Sequence, residues 1–220
     1  TDAHGALGET NDLKGVSLEH KLGIHASPTA VMSYGDEGGA VGYLVGAENQ
    51  GLAAMFAMMN FSRLGVAIQG VGMAERAYQQ ARAYAEERVQ GAAIDGDSAV
   101  SVPIVRHPDV QRMLLSMTAG AEAARCLMLY TAAKQDKAAR HPDAEARAQA
   151  DARQGLLLPI AKGWATEMGI EAANTGIQVH GGTGFIEETG AAQLLRDARI
   201  SAIYEGTTGI QANDFVFRKV

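Results

Sequence analysis

From Leu52 onward the apolar positions fall into a helical rhythm. Leu52, Met55, Phe56 and Met59 recur at i, i+3, i+4 and i+7, and apolar positions continue through Val66, Ile68, Val71 and Met73. That spacing predicts a helix over about 52–90. A break follows at Gly91, Asp95-Gly96-Asp97 and Pro103. Pro108 and Asp109 suit a first helical turn, which predicts a second helix from about 107 to 140, closed by His141-Pro142. A third is predicted over 144–175, bent at Pro159, with shorter pieces over 191–196 and after Thr208. Long helices joined by short breaks read as an up-and-down bundle. Residues 1 to about 50 lack this rhythm. There Gly15-Val16-Ser17-Leu18 and Gly42-Tyr43-Leu44-Val45-Gly46 read as strands, with a tight turn at Tyr34-Gly35-Asp36-Glu37-Gly38-Gly39. These strands are too few to close a sheet around its own core, so their partners are expected upstream of residue 1. The predicted class is mainly α, a helical bundle over 52–220 preceded by the incomplete end of a β domain over 1–51.

Composition narrows the picture. Of 220 residues 47% are hydrophobic but only 5% aromatic, so Ala, Leu, Val and Met must build the interior. Nine methionines suit adaptable helix packing and could equally line a pocket. A net charge of −6 argues against a nucleic-acid surface, although a few local arginines suffice for an anionic ligand. The single cysteine, Cys126, excludes an internal disulfide framework or a metal-binding cysteine cluster, and is expected to be a buried small hydrophobe in a reducing compartment. No uninterrupted run of about 18 apolar residues occurs, so no membrane-spanning helix is expected. The opening Thr1-Asp2-Ala3-His4-Gly5 does not look like a signal peptide, nor like a natural protein start. The expected location is cytoplasmic.

Candidate chemistry concentrates in Ala202-Ile203-Tyr204-Glu205-Gly206-Thr207-Thr208-Gly209-Ile210-Gln211. One carboxylate stands between an aromatic residue and a glycine. A carboxylate that takes a proton from carbon needs partial desolvation to become a better base, and a neighbour without a side chain lets a substrate approach. The plain alternative is a solvated loop glutamate. Thr207 and Thr208 have a structural reading as a helix N-cap, and Gln178 to Gly182 one as a helix C-terminus. Arg63, with Asn60 one turn earlier, would ordinarily lie on a solvated helix face, and His107 suits a helix start.

Taken together these segments resemble the acyl-CoA dehydrogenase family, in order, from about residue 19 to 214. Tyr204-Glu205-Gly206 resembles its catalytic segment, and Gln178-Val179-His180-Gly181-Gly182-Thr183-Gly184-Phe185 its glycine-rich flavin-contacting turn. Leu194-Leu195-Arg196-Asp197 follows at the family's distance, Asn60-Phe61-Ser62-Arg63 matches the start of its C-terminal helical domain, and Lys21-Leu22-Gly23-Ile24 resembles the late strand region of its middle β-barrel-like domain. The resemblance implies FAD as cofactor and an acyl-CoA thioester as substrate. Glu205 would be the base that removes the α-proton, giving the trans-2-enoyl-CoA as a hydride passes to the flavin. It implies FAD contacts for Gln178, Val179, His180, Gly181, Gly182, Thr207 and Thr208, and substrate contacts for Asn60, Arg63, Tyr204 and Gly206. Arg88 and His107 align with flavin-adjacent positions, although the stretch after Arg88 is one residue shorter than usual and lacks a Phe. Further implications are a homodimer or homotetramer, electron-transfer flavoprotein as electron acceptor, and no metal.

The wording of 91–105 and 181–188 is similar to a larger bacterial branch of the family, which includes enzymes acting on 3-methylmercaptopropionyl-CoA and carries an extra C-terminal domain. That domain would begin near Val220, so the chain reads as a C-terminal fragment. The competing reading is a non-catalytic helical partner subunit, against which the intact Tyr204-Glu205-Gly206 speaks.

Overall fold

The computed structural model describes residues 5–219. The chain divides into two compact units, one ending at Phe56 and the other starting at Ala57.

In the first unit, β1 (Leu13–Leu18) pairs antiparallel with β2 (Ala30–Tyr34), in a register running from Leu13 opposite Tyr34 to Leu18 opposite Ala30. Lys21 to Ile24 lies in the connecting loop, where the Lys21 ammonium donates to the Ile24 carbonyl at 3.1 Å. The predicted turn after Tyr34 forms as expected. The Asp12 carboxylate organises it by accepting from the amides of Glu37 (2.7 Å) and Gly39 (3.2 Å). The strand predicted at 42–46 does not form. The side-chain amide of Asn11 instead takes both hydrogen bonds of Val41, donating to its carbonyl at 2.8 Å and accepting from its amide at 2.9 Å. A two-stranded ribbon with almost every residue exposed has no core of its own, and no closed barrel is seen among the described residues.

The second unit is the helical bundle. Its helices are α1 (Gly51–Glu87, whose first turns belong to the first unit), α2 (Pro108–Arg140), α3 (Ala144–His180), α4 (Ala191–Arg199) and α5 (Thr208–Asp214). The predicted break between α1 and α2 contains a small hairpin, β3 (Val89–Ala92) with β4 (Ser101–Pro103). Helix α3 runs through Pro159 and extends five residues past its predicted end, to Gly181 in a positive-φ cap (φ 61°). It begins on Asp143, whose carboxylate accepts from the amides of Glu145 and Ala146.

The core face of α1 differs from the one its large apolar residues predict. Leu52, Met55, Phe56 and Ile68 are exposed, whereas Ala67, Gly70, Val71, Ala74, Ala77, Ala81 and Ala85 are buried. Small residues at i, i+3 and i+4 carry little hydrophobic signal but let backbones approach closely. A Cβ on Gly70 would stand 2.3 Å from the Ala165 carbonyl oxygen, and one on Gly169 2.8 Å from the Gly70 oxygen. Around that crossing pack Leu64, Val71, Met128 and Leu158, and further along Met113, Leu114 and Met117 of α2 against Ala172 and Ala173 of α3. One expectation fails here. Cys126 is exposed, because it lies on the outer face of α2, between Ala124 and Met128 on the buried side. Helix α1 is long and apolar enough, by length and composition alone, to cross a membrane. Its second half nonetheless packs into the bundle through the alanine face.

Candidate active site

Helix α4 ends in a 3₁₀ turn, Ile200–Ala202, which delivers the chain to Glu205 just before α5. Glu205 and Gly206 are both left-handed, with φ of 55° and 94°. For a non-glycine residue that conformation costs about 1–2 kcal/mol, so surrounding contacts must hold it. Those contacts come from three helices. The Lys162 ammonium of α3 donates to the Gly206 carbonyl at 2.6 Å. The side-chain amide of Gln211 in α5 donates to the same carbonyl at 3.1 Å and to that of Glu205 at 3.2 Å. The Tyr204 hydroxyl donates to the side chain of Gln69 in α1. At φ 94° a side chain on residue 206 would be strained, and its Cβ would also stand 2.5 Å from the Gln211 amide nitrogen, so glycine is favoured there.

Beside this loop, Arg63 and Asp214 form a buried ion pair at 3.0 Å, and Asn60 accepts weakly from the same guanidinium nitrogen at 3.4 Å. The solvated-face reading of Arg63 is therefore wrong; helix α1 turns it inward because Asp214 of α5 supplies a buried counter-charge. Asn60 itself is exposed. Both line a cavity of about 560 Å³ that also presents Asp151, Gln154, Arg218 and Lys219. Three buried polar atoms cluster at the site without a protein partner: Glu205 Oε2, Arg63 Nε and Gln211 Oε1. Buried polar groups are rarely left unpaired in a folded protein, so three together mark a place built to meet polar groups of another molecule. Burial, and then the nearby Arg63, pull the Lys162 ammonium down to about 8, against the opposing pull of Glu167 and Glu205. Burial pushes the Tyr204 hydroxyl up; the Gln69 hydrogen bond opposes the rise and the Glu205 charge adds to it.

Thr207 caps α5 by accepting from the Ile210 amide at 3.3 Å, so its structural reading holds. Thr208 donates to the Glu167 carboxylate at 2.6 Å. A second group of predicted residues gathers at the other end of α3. Gln178 is exposed, but Val179 is 4% exposed and belongs to the core. The His180 ring is also buried, bonded through Nδ1 to the Gly176 carbonyl at 2.7 Å and stacked on Tyr84 at 4.5 Å between centroids. Gly181 and Gly182 are exposed, with nothing within 4 Å of where a Cβ would lie. Arg88 is exposed and its carbonyl accepts from the Ile104 amide at 2.8 Å, while the His107 ring bonds the Gln90 carbonyl at 2.7 Å across the same hairpin. No group of side chains suited to a metal ion occurs among the described residues.

Sequence reasoning missed Lys162, Gln211 and Asp214. Lys162 had a readable signal, a lone charge inside Pro159-Ile160-Ala161-Lys162-Gly163-Trp164. Asp214 had none, because its partner Arg63 lies 151 residues away, whereas Gln211 sits only six and five residues from Glu205 and Gly206 and carried no local sign of its role.

Residues 49–218 match the family model for the acyl-CoA dehydrogenase C-terminal domain. Over 216 residues the chain is 54% identical to 3-methylmercaptopropionyl-CoA dehydrogenase of Ruegeria pomeroyi, covering 98% of this chain and 36% of that protein. It is 38% identical over 225 residues to the broad-specificity linear acyl-CoA dehydrogenase FadE5 of Mycobacterium tuberculosis, with the same two coverages. Among solved structures, Caenorhabditis elegans ACDH-11 in complex with C11-CoA superposes with a TM-score of 0.81 at 26% identity, over 96% of this chain and 33% of that one. The chain thus spans about a third of the length of these relatives. With its helical bundle matched almost from end to end, the chain belongs to the acyl-CoA dehydrogenase family.

Proposed function

We propose that the whole protein catalyses α,β-dehydrogenation of an acyl-CoA thioester to the trans-2-enoyl-CoA, with Glu205 as the base that takes the α-proton. The observation that carries this reading is the unpartnered, buried Oε2 of Glu205, held on a left-handed turn whose carbonyls are tied down by Lys162 and Gln211. A base needs a free lone pair aimed at a water-poor site, and a fixed backbone keeps it in one orientation. The Glu205 carboxylate accepts the α-proton, and Gly206 continues the left-handed turn that presents it, beside the Arg63 and Gln211 side chains. Asn60 and Arg63, with Arg218 at the same cavity, suit the polar and anionic part of the substrate. The proposed domain boundary lies at 51/52, which puts all of these groups in the C-terminal domain.

The residues fit FAD. Gly181 and Gly182 present bare backbone to open space beside exposed Gln178, Thr207 is exposed, and Arg88 offers a free-standing guanidinium for a diphosphate. Val179 and His180 serve by shaping the end of α3 rather than by direct contact, since both side chains are spent on packing. Bound FAD would supply the redox chemistry, taking the hydride from the β-carbon. The assembly is a homodimer or homotetramer that hands electrons to an electron-transfer flavoprotein. Half-exposed Ile160 and Trp164, which line a 310 Å³ apolar cavity with Phe215, support self-association.

Glu205→Gln in the complete protein tests the assignment. The fold and flavin content should be kept, because Gln is nearly isosteric. Flavin bleaching by a panel of acyl-CoA thioesters, followed anaerobically by stopped flow, should slow by about 10²–10⁴-fold or more. The matched control is Glu188→Gln, at an exposed position, which should change little. Bleaching of Glu205→Gln at the wild-type rate would remove Glu205 from the chemistry and leave the motif as a helix-capping turn.

A further inference from the structure

Lys162 is fully buried within an otherwise apolar stretch of α3, with Ile160 and Ala161 before it and Gly163 and Trp164 after it. An ammonium taken out of water is costly, and a methionine of similar length would fill the same space without that cost. The charge therefore needs a reason at its tip. The tip touches the Gly206 carbonyl at 2.6 Å, 44 residues along the chain and next to the proposed base. Gln211 grips the same carbonyl from α5 and also the carbonyl of Glu205, so the left-handed pair is clamped from two helices. The charged groups facing Lys162 are Arg63 from α1, Glu167 from its own helix and Glu205 from the loop, with Asp214 of α5 neutralising Arg63 through their 3.0 Å ion pair.

We propose that Lys162 is a positioning residue for the reaction proposed above: by holding the Gly206 carbonyl from α3 it fixes the left-handed Glu205–Gly206 backbone, so that the Glu205 carboxylate meets the thioester α-carbon in one orientation. The inference rests on Glu205 being the base. Lys162 acts through that residue and touches no reacting atom. A charge-assisted hydrogen bond suits the task because it is stronger than a neutral one, and Gln211 alone would leave the carbonyl free to swing.

The test uses the full-length, FAD-loaded protein and Lys162→Met, which keeps length and loses charge and donor. At saturating acyl-CoA, flavin reduction should slow by about ten- to a hundredfold, since a displacement of about 1 Å can cost roughly 10² in rate. Affinity for a non-oxidisable thioether analogue of the same acyl-CoA should change by less than about twofold, the signature of lost transition-state positioning rather than lost binding. Independently of activity, the amides of Tyr204 to Thr208 should exchange with deuterium on the order of tenfold faster while those of α2 keep their protection. The wild-type reduction rate should also fall as pH rises through about 8, where the ammonium loses its proton, and Lys162→Met should lack that limb. Adding Lys162→Met to Glu205→Gln should slow the reaction no further. A wild-type rate in Lys162→Met would overturn the proposal, as would a rate loss accompanied by lost protection throughout α2 and α3, which would make Lys162 bulk packing. Wild-type bleaching by Glu205→Gln would instead overturn the base assignment beneath it, so the two failures are distinguishable.

Discussion

The close approach of α1 and α3 at Gly70 provides a quantitative test of how the site is carried. Gly70→Ala adds one methyl group where α1 crosses α3. That Cβ would stand 2.3 Å from the Ala165 oxygen, 2.6 Å from its carbonyl carbon and 2.8 Å from the Thr166 nitrogen. All three are backbone atoms, so no side chain can rotate out of the way, and ordinary contact requires the helices to part by about 1 Å. Overpacking a close-packed interior costs about 1–3 kcal/mol, and rigid backbone on both sides puts this case at the upper end. Alanine regains up to about 1 kcal/mol of helix propensity, leaving a net loss of about 2 kcal/mol. Gly72→Ala is the matched control, because nothing lies within 4 Å of its Cβ; it should be neutral or stabilising by up to about 1 kcal/mol. Global unfolding of a multidomain protein does not isolate the bundle, so native-state hydrogen exchange of the α1 and α3 amides is the proper readout. The same displacement moves Lys162, one turn before Ala165, relative to Arg63. Flavin reduction in Gly70→Ala should therefore slow, by up to about 10²-fold. If Gly70→Ala were as well protected as Gly72→Ala, the account of the crossing as a backbone contact would be wrong.

Other perturbations separate structural from site effects. Asp143→Ala removes the cap that accepts from the Glu145 and Ala146 amides and should cost about 0.5–2 kcal/mol, seen as faster exchange in the first turn of α3. Asp214→Ala strands the buried Arg63 guanidinium and should cost about 3–5 kcal/mol in local stability of α5, whereas Glu187→Ala, whose partner Arg196 is bonded at 2.7 Å at the surface, should cost at most about 1 kcal/mol. Lys162 gives a pH test with a definite sign. Its ammonium sits near 8 in the folded chain against 10.5 when unfolded, so between those values the unfolded state binds more protons. Stability should therefore rise with pH across that window, and the penalty of the buried charge is fully present below about 8. Lys162→Met should flatten this rise in the opening free energy of the α3 amides, read by native-state hydrogen exchange from pH 7 to 10; an unchanged slope would show that the ammonium is not strained by burial.

Much of this protein was legible in residue order because local physics governs it. Helix starts and stops followed proline, acid and glycine chemistry, so α2 emerged within a residue of its predicted ends. The Tyr204-Glu205-Gly206 segment stood out through its resemblance to a family motif, since one carboxylate beside a glycine also fits a solvated loop. The strand at 42–46 was misread because β structure exists only with a partner, and β1 pairs with β2 instead. Tertiary structure alone decided the core face of α1, since alanine and glycine barely register as hydrophobic yet win burial when they let α3 come close. It decided the fate of Arg63, whose counter-charge Asp214 lies 151 residues away. It likewise brought Lys162 to the Gly206 carbonyl, 44 residues along the chain. Those contacts depend on where three helices cross, and no periodicity or spacing along one helix encodes that.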